Sequence, residues 1–142
     1  MNVAIDLDAL GDTRPLWRDW LEDAARVLDV AELPEDRAAA AAELDSRGAG
    51  NWRTLLERFA EDRAPVYLRP AAEVSAALRE LQAGGARIVV FTDAPLELAQ
   101  VALRQLGAAR RVERIETRAP EAHVVVRTRE ELLRLETPGR SA

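Results

Sequence analysis

Asp6 and Asp8 are the residues whose type and spacing point most directly to chemistry. They close the run Val3-Ala4-Ile5-Asp6-Leu7-Asp8, which is short, apolar and β-branched enough to read as a buried strand of a parallel sheet. Alternate residues of a strand share a face, so the spacing predicts two carboxylates side by side where the strand ends. Open α/β sheets bind their ligands at that edge, and paired acids are a poor choice for a core. The plainer alternative has Asp6 facing solvent at the strand end and Asp8 capping a turn. The apolar strand before the pair, and a second strand ending in Thr92, favour the functional reading. Other chemistries are excluded by composition. The chain has no Cys, so disulfides, thiol nucleophiles and thiolate metal sites are out. All 20 basic residues are Arg, which removes any mechanism that needs a lysine. His123, the only His, lies beside a strand with no Ser or Cys partner and reads as structural.

The elements that must position these groups follow from periodicity. From Leu16 the pattern is helical, with Leu16, Trp17, Trp20, Leu21, Ala24, Val27 and Leu28 on one face. Asp12 or Thr13 caps it ahead of Pro15. Pro34 starts a second helix through Ala38–Ala42, ending near Gly48 and Gly50. A third covers residues 51–60, with Trp52, Leu55, Leu56 and Phe59 inward. A fourth opens at Pro70, carries Val74, Ala77, Leu78 and Leu81, and stops at Gly84-Gly85. Arg87–Phe91 is the second clear strand. Asp93 and Pro95 restart a helix with Leu96, Ala99, Leu103 and Leu106 on one face, closed by Gly107. Val112–Thr117 and Val124–Val126 read as further strands, residues 129–135 as a short helix, and Thr137–Ala142 as a frayed tail.

Strands alternating with helices indicate an α/β sheet, parallel at least in part. The helical stretch between the first two strands is far longer than a crossover needs, so the excess reads as a cap over the sheet edge. The expected division is a core of residues 1–12 and 85–142 with a helical cap over 13–84. A chain of 142 residues, 48% hydrophobic and 32% charged, suits that one compact unit. Twenty basic against 25 acidic residues give a net charge of −5, which argues against a nucleic-acid partner. No signal peptide and no apolar run long enough to span a membrane is visible, so a cytoplasmic protein without membrane contact is expected. Tryptophan-bearing helices not fully used by the cap leave room for a homodimer.

Val3-Ala4-Ile5-Asp6-Leu7-Asp8-Ala9-Leu10 resembles the first motif of the haloacid dehalogenase superfamily, an apolar strand ending in Asp-x-Asp-x-Thr. Ile88-Val89-Val90-Phe91-Thr92 is similar to that family's second motif, an apolar strand ending in Thr or Ser. The helical insert has the position and length of the family's cap. The resemblance runs from Val3 to about Thr117. It implies a Rossmann-like, mostly parallel sheet and a phosphatase-like reaction on a small phosphorylated metabolite. Asp6 would attack phosphorus to form an aspartyl-phosphate, and Asp8 would protonate the leaving oxygen and later activate water. Thr92 would hydrogen-bond a phosphoryl oxygen, and the helix after Pro95 would aim N–H groups at it. Mg²⁺ would sit between the Asp6 carboxylate, the Asp8 backbone carbonyl and the phosphate. A carboxylate about 4 Å from a phosphate meets roughly 4 kcal/mol of repulsion per unit charge at an effective dielectric of 20. A helix N-terminus returns only about 0.3–1 kcal/mol of that.

The sequence departs from the family pattern in places. Leu10 stands where the first motif has Thr. The third motif's Lys has Arg118 as its only nearby substitute. After Val126 the fourth motif's Asp is replaced by Arg127-Thr128-Arg129-Glu130-Glu131, where Glu130 or Glu131 could supply a metal ligand or simply open a solvated helix. Few residues separate the third strand from Val124, so these two strands are expected to form a hairpin or to pair poorly. Arg14, Arg53 and Arg58 are cap-side cations that could meet an anion, and Asp93 reads as a helix cap. The alternative function is therefore a catalytically impaired relative that binds an anion or a protein.

Overall fold

The first strand is shorter than its sequence suggests. In the computed structural model, which describes residues 1–28 and 32–135, β1 (Asn2–Asp6) ends at the first acid. Asp6 keeps extended backbone angles and caps a helical turn, α1 (Leu7–Leu10), its Oδ1 accepting the Asp8 N–H at 3.0 Å. An aspartate that satisfies the amide two residues on offers the chain an alternative to the sheet ladder. The expectation that both acids share one strand face is thereby corrected, because Asp8 belongs to a helical turn.

Helices α2 (Arg14–Val27), α3 (Arg37–Ser46) and α4 (Trp52–Tyr67) follow. Thr13 is the N-cap residue of α2, with Pro15 in the first turn. Asp36 caps α3 by accepting the Ala39 N–H at 2.8 Å. The third helix outruns the expected stop at residue 60 and passes through Pro65. Burial of Ala60, Ala64 and Leu68 at i, i+4 and i+8 carries it through. The three tryptophans form one row in the core, with ring centroids 5.1 Å apart for Trp17–Trp20 and 5.9 Å for Trp20–Trp52. These residues share one contiguous apolar cluster with Val3, Ile5, Ile88 and Val90 of the sheet.

Helix α5 (Ala72–Ala83) packs on the next strand, β2 (Arg87–Phe91), so it is the crossover helix of the sheet layer rather than part of the insert. After α6 (Leu96–Gln105) come β3 (Arg114–Glu116), β4 (Val124–Val126) and α7 (Arg129–Leu133). The strands pair in the order β3-β2-β1-β4, all parallel, with Ile5 opposite both Val90 and Val126. The expected hairpin between the last two strands is overturned, because they occupy opposite edges of the sheet.

Residues 117–123 make that crossing without a helix. Ala4, Val89 and Phe91 are buried yet lie outside the main cluster, on the face turned away from Val3, Ile5, Ile88 and Val90. Pro120, Glu121 and Ala122 line a small crevice with Asn2, Arg87 and Val89, and the Arg127 guanidinium lies 5.5 Å from the Phe91 ring centre. One sheet face thus carries the helices and the other a single extended strap. His123 sits at the end of the strap, its Nδ1 accepting the Asn2 N–H at 2.9 Å and its own N–H donating to the Asn2 carbonyl at 3.0 Å. Among the described residues no helix is long and apolar enough to cross a membrane. The tail Thr137–Ala142 lies outside the described residues.

Candidate active site

Register places the two motif ends together. Asp6 stands opposite Phe91 in the parallel ladder, so Thr92 follows one residue beyond it at the same edge. Thr92 is buried, with its N–H donating to the Glu116 carbonyl at 3.0 Å. Its Oγ1 accepts the Ala94 N–H at 3.1 Å, which leaves the hydroxyl hydrogen to donate.

The centre of the site is a residue that motif reasoning missed. Arg37, the first residue of α3, reaches from the insert to the sheet edge with its side chain only 6% exposed. Its Nη2 donates to Asp8 Oδ2 at 3.2 Å and its Nη1 to Thr13 Oγ1 at 2.6 Å. Thr13 in turn donates its N–H and hydroxyl to Asp8 Oδ1, at 3.0 and 2.7 Å. Asp93 holds Arg37 from the other side. Its Oδ1 accepts Arg37 Nε at 2.9 Å and its Oδ2 accepts the Arg37 backbone N–H at 3.0 Å. Asp93 therefore does not cap α6, where Pro95 takes the cap position with no side-chain bond. It caps α3 from across the fold. A sequence signal for Arg37 exists, since Arg37, Ala40, Ala41 and Leu44 form the buried stripe of α3. Only the first of them is charged.

Electrostatics set Asp6 and Asp93 apart. Burial pushes the Asp6 carboxyl above its ordinary value of 3.8; the Asp8 N–H opposes this, the charges of Asp8 and Asp93 add to it, and Arg37 opposes it. Burial acts upward on Asp93 too, but the hydrogen bonds from the Arg37 backbone and guanidinium outweigh it and hold this carboxyl below 3.8. Beside the cluster opens a cavity of about 510 Å³, whose walls include Asp8, Arg14, Trp17, Arg18, Arg37 and Asp93.

The remaining expected residues lie elsewhere. Arg118 is exposed on the strap, beyond β3 and two strands from Asp6, and takes no part in the bonds that hold Asp6, Asp8 or Thr92. Glu131 accepts the Arg127 N–H at 3.1 Å while its own N–H donates to Thr128, so it closes the start of α7, and Glu130 is exposed. Arg53 bridges Asp45 and Glu97 over the Trp52 ring. Arg58 is exposed, and Arg14 pairs with Asp12 at 2.9 Å.

The carboxylates of Asp8 and Asp93 do not fit a resident Mg²⁺. Both oxygens of Asp8 and both of Asp93 are engaged, a guanidinium already lies between these acids, and only Asp6 Oδ2 has no protein donor. Among the described residues no group of three or more His, Cys, Asp or Glu is placed to hold a metal ion. Mg²⁺ demands near-octahedral hard oxygen donors, which this arrangement withholds. Compared with known proteins, the chain matches no family model, no curated protein and no solved structure.

Proposed function

We propose that the chain is a haloacid dehalogenase-like hydrolase that takes the phosphoryl group from a small phosphorylated metabolite onto Asp6. The observation that carries this reading is the half-buried Asp6 at the carboxyl end of a central parallel strand, its Oδ2 open, level with Phe91 just before Thr92 and two residues before Asp8. Helices α2–α4 act as the cap, and the cavity between α2 and the start of α3, which Asp8 rather than Asp6 or Thr92 borders, is the ligand pocket.

In this reading Asp6 Oδ2 attacks phosphorus and the ester oxygen leaves, giving an aspartyl-phosphate that water hydrolyses. Thr92 donates its hydroxyl hydrogen to a phosphoryl oxygen. Asp8 serves the leaving oxygen and then the water. Arg14 and Arg18 on the cavity wall attract the anion, and Trp17 gives an apolar surface to the rest of the molecule.

One observation favours a second reading, a non-catalytic anion-binding module: Thr13 and Arg37 together hold both oxygens of Asp8, the group the reaction needs free. Hydrolysis of a generic aryl phosphate, with and without Mg²⁺, separates the two. The hydrolase reading expects turnover in the wild type that falls to background in Asp6→Asn. Turnover unchanged in that variant, or none in the wild type across a panel of sugar, acyl and aryl phosphates, would sink it.

A further inference from the structure

We propose that Arg37 is the built-in cation of this site: anchored by Asp93, it hands one guanidinium N–H from Asp8 to a bound phosphoryl oxygen, so that the anion is held without a divalent metal. The anion's identity rests on the function proposed above, whereas the place of Arg37 rests on geometry alone.

The two acids grip Arg37 unequally. Asp93 holds it at two points, the backbone N–H at 3.0 Å and Nε at 2.9 Å, so the root of the side chain and the start of α3 are both fixed. Asp8 holds it at one point, from Nη2 at 3.2 Å, the longest bond of the network. Nη2 also lies 2.9 Å from Asp93 Oδ1, which keeps the fork in place if Asp8 lets go. An anion in the adjoining cavity, whose wall includes Arg37, Asp8 and Asp93, competes for that longest bond first.

The exchange has two consequences. A phosphoryl oxygen gains a charge-assisted donor from a nearly dry guanidinium, the role a metal would otherwise fill. Asp8 loses its cation and turns to the leaving oxygen while Thr13 still orients it. Arg37 is thus a residue that contacts the ligand and positions Asp8 in one motion. The guanidinium also closes the space between Asp8 and Asp93 to a divalent ion, since two cations cannot share these acids. Charge sets a limit on affinity. Asp6, Asp8 and Asp93 remain beside the anion, and Arg14 is partly spent on Asp12, so dissociation constants for inorganic phosphate of about 1 mM are expected.

Calorimetric titration of the whole chain with inorganic phosphate, and separately with Mg²⁺ and Mn²⁺, tests this for the wild type, Arg37→Met and Arg37→Lys. The wild type should bind phosphate equally in chelator and in Mg²⁺, and should bind neither metal ion below about 10 mM. Arg37→Met should lose at least tenfold in phosphate affinity and gain a binding site for Mn²⁺, which a merely structural arginine would not produce. Arg37→Lys should recover part of the phosphate affinity and bind no metal; it keeps the test decisive if the Met variant fails to fold. Phosphate binding that requires Mg²⁺, or that Arg37→Met and Arg37→Lys leave unchanged, would overturn the proposal. Phosphate bound as described with no ester hydrolysed would instead remove the hydrolase reading and leave Arg37 its role.

Discussion

Asp6 works against the stability of its own fold. Its carboxyl is held above the ordinary 3.8 by burial and by the charges of Asp8 and Asp93, so the ionised form costs the native state free energy relative to the unfolded chain. That cost is fully present above the native pKa of Asp6 and gone below 3.8. Asp93, held low by Arg37, contributes the reverse: stability that is present above 3.8 and lost as pH falls through its lower native value. Asp6→Asn keeps the capping bond to the Asp8 N–H, because asparagine caps as well as aspartate. Urea unfolding should therefore find the variant more stable than wild type at pH 7 by a few tenths of a kcal/mol, a gain kept small by the water that reaches this half-buried group. The advantage should shrink as pH falls through the raised native pKa of Asp6 and vanish below 3.8; a variant less stable at pH 7 would contradict this account. At this scale the sequence was informative about Asp6, Asp8 and Thr92, because each ends an apolar run. Arg37 was hidden because its partner Asp93 lies far along the chain and because every basic residue is Arg, so no single one stands out.

Local chemistry made most elements readable, and distant contacts account for the errors. The strands at Arg87–Phe91 and Val124–Val126 lie where their β-branched runs put them, and α7 starts at Arg129 as its polar first turn suggests. Helix α4 outruns the expected residue 60 because burial of Ala64 and Leu68 against the core carries it through Pro65. Helix α3 is the element on which the site depends, since its first residue carries the guanidinium. Its start is held twice, by Asp36 on Ala39 and by Asp93 on Arg37. Asp36→Ala removes only the first hold and should lower stability by about 1 kcal/mol, seen as a fall in Tm, with phosphate affinity kept within about twofold because Asp93 still places Arg37. A tenfold loss of affinity would show that Asp93 alone cannot position the helix.

The whole molecule is asymmetric about its sheet. Helices bury one face, while on the other Val89 lines a crevice with Pro120, Glu121 and Ala122 and Phe91 lies under the Arg127 side chain. Strand order was not readable from the sequence, because a short connection looks the same whether it turns back or crosses to the far edge. Helix α5 carries the same apolar period as the helices before it, and its packing on β2 is seen only in the structure. Segments with few buried contacts open first. Hydrogen–deuterium exchange should release residues 117–126 at least tenfold faster than Ile88–Val90, which lie in a strand paired on both sides. Equal protection in the two segments would mean that the strap is as firmly held as the helical layer.

The position of β1 has a consequence for how the chain is made. Both of its partners come late: Val3 pairs with Ile88 and with Val124. At about 5–20 residues per second on the ribosome, roughly 4–17 s pass between synthesis of β1 and of β2. Through that interval β1 has two open edges and no ladder to join. Contacts so distant in sequence also form slowly in refolding from denaturant. The helices set between β1 and its first neighbour, α1 to α5 among the described residues, are what keeps β1 waiting during synthesis.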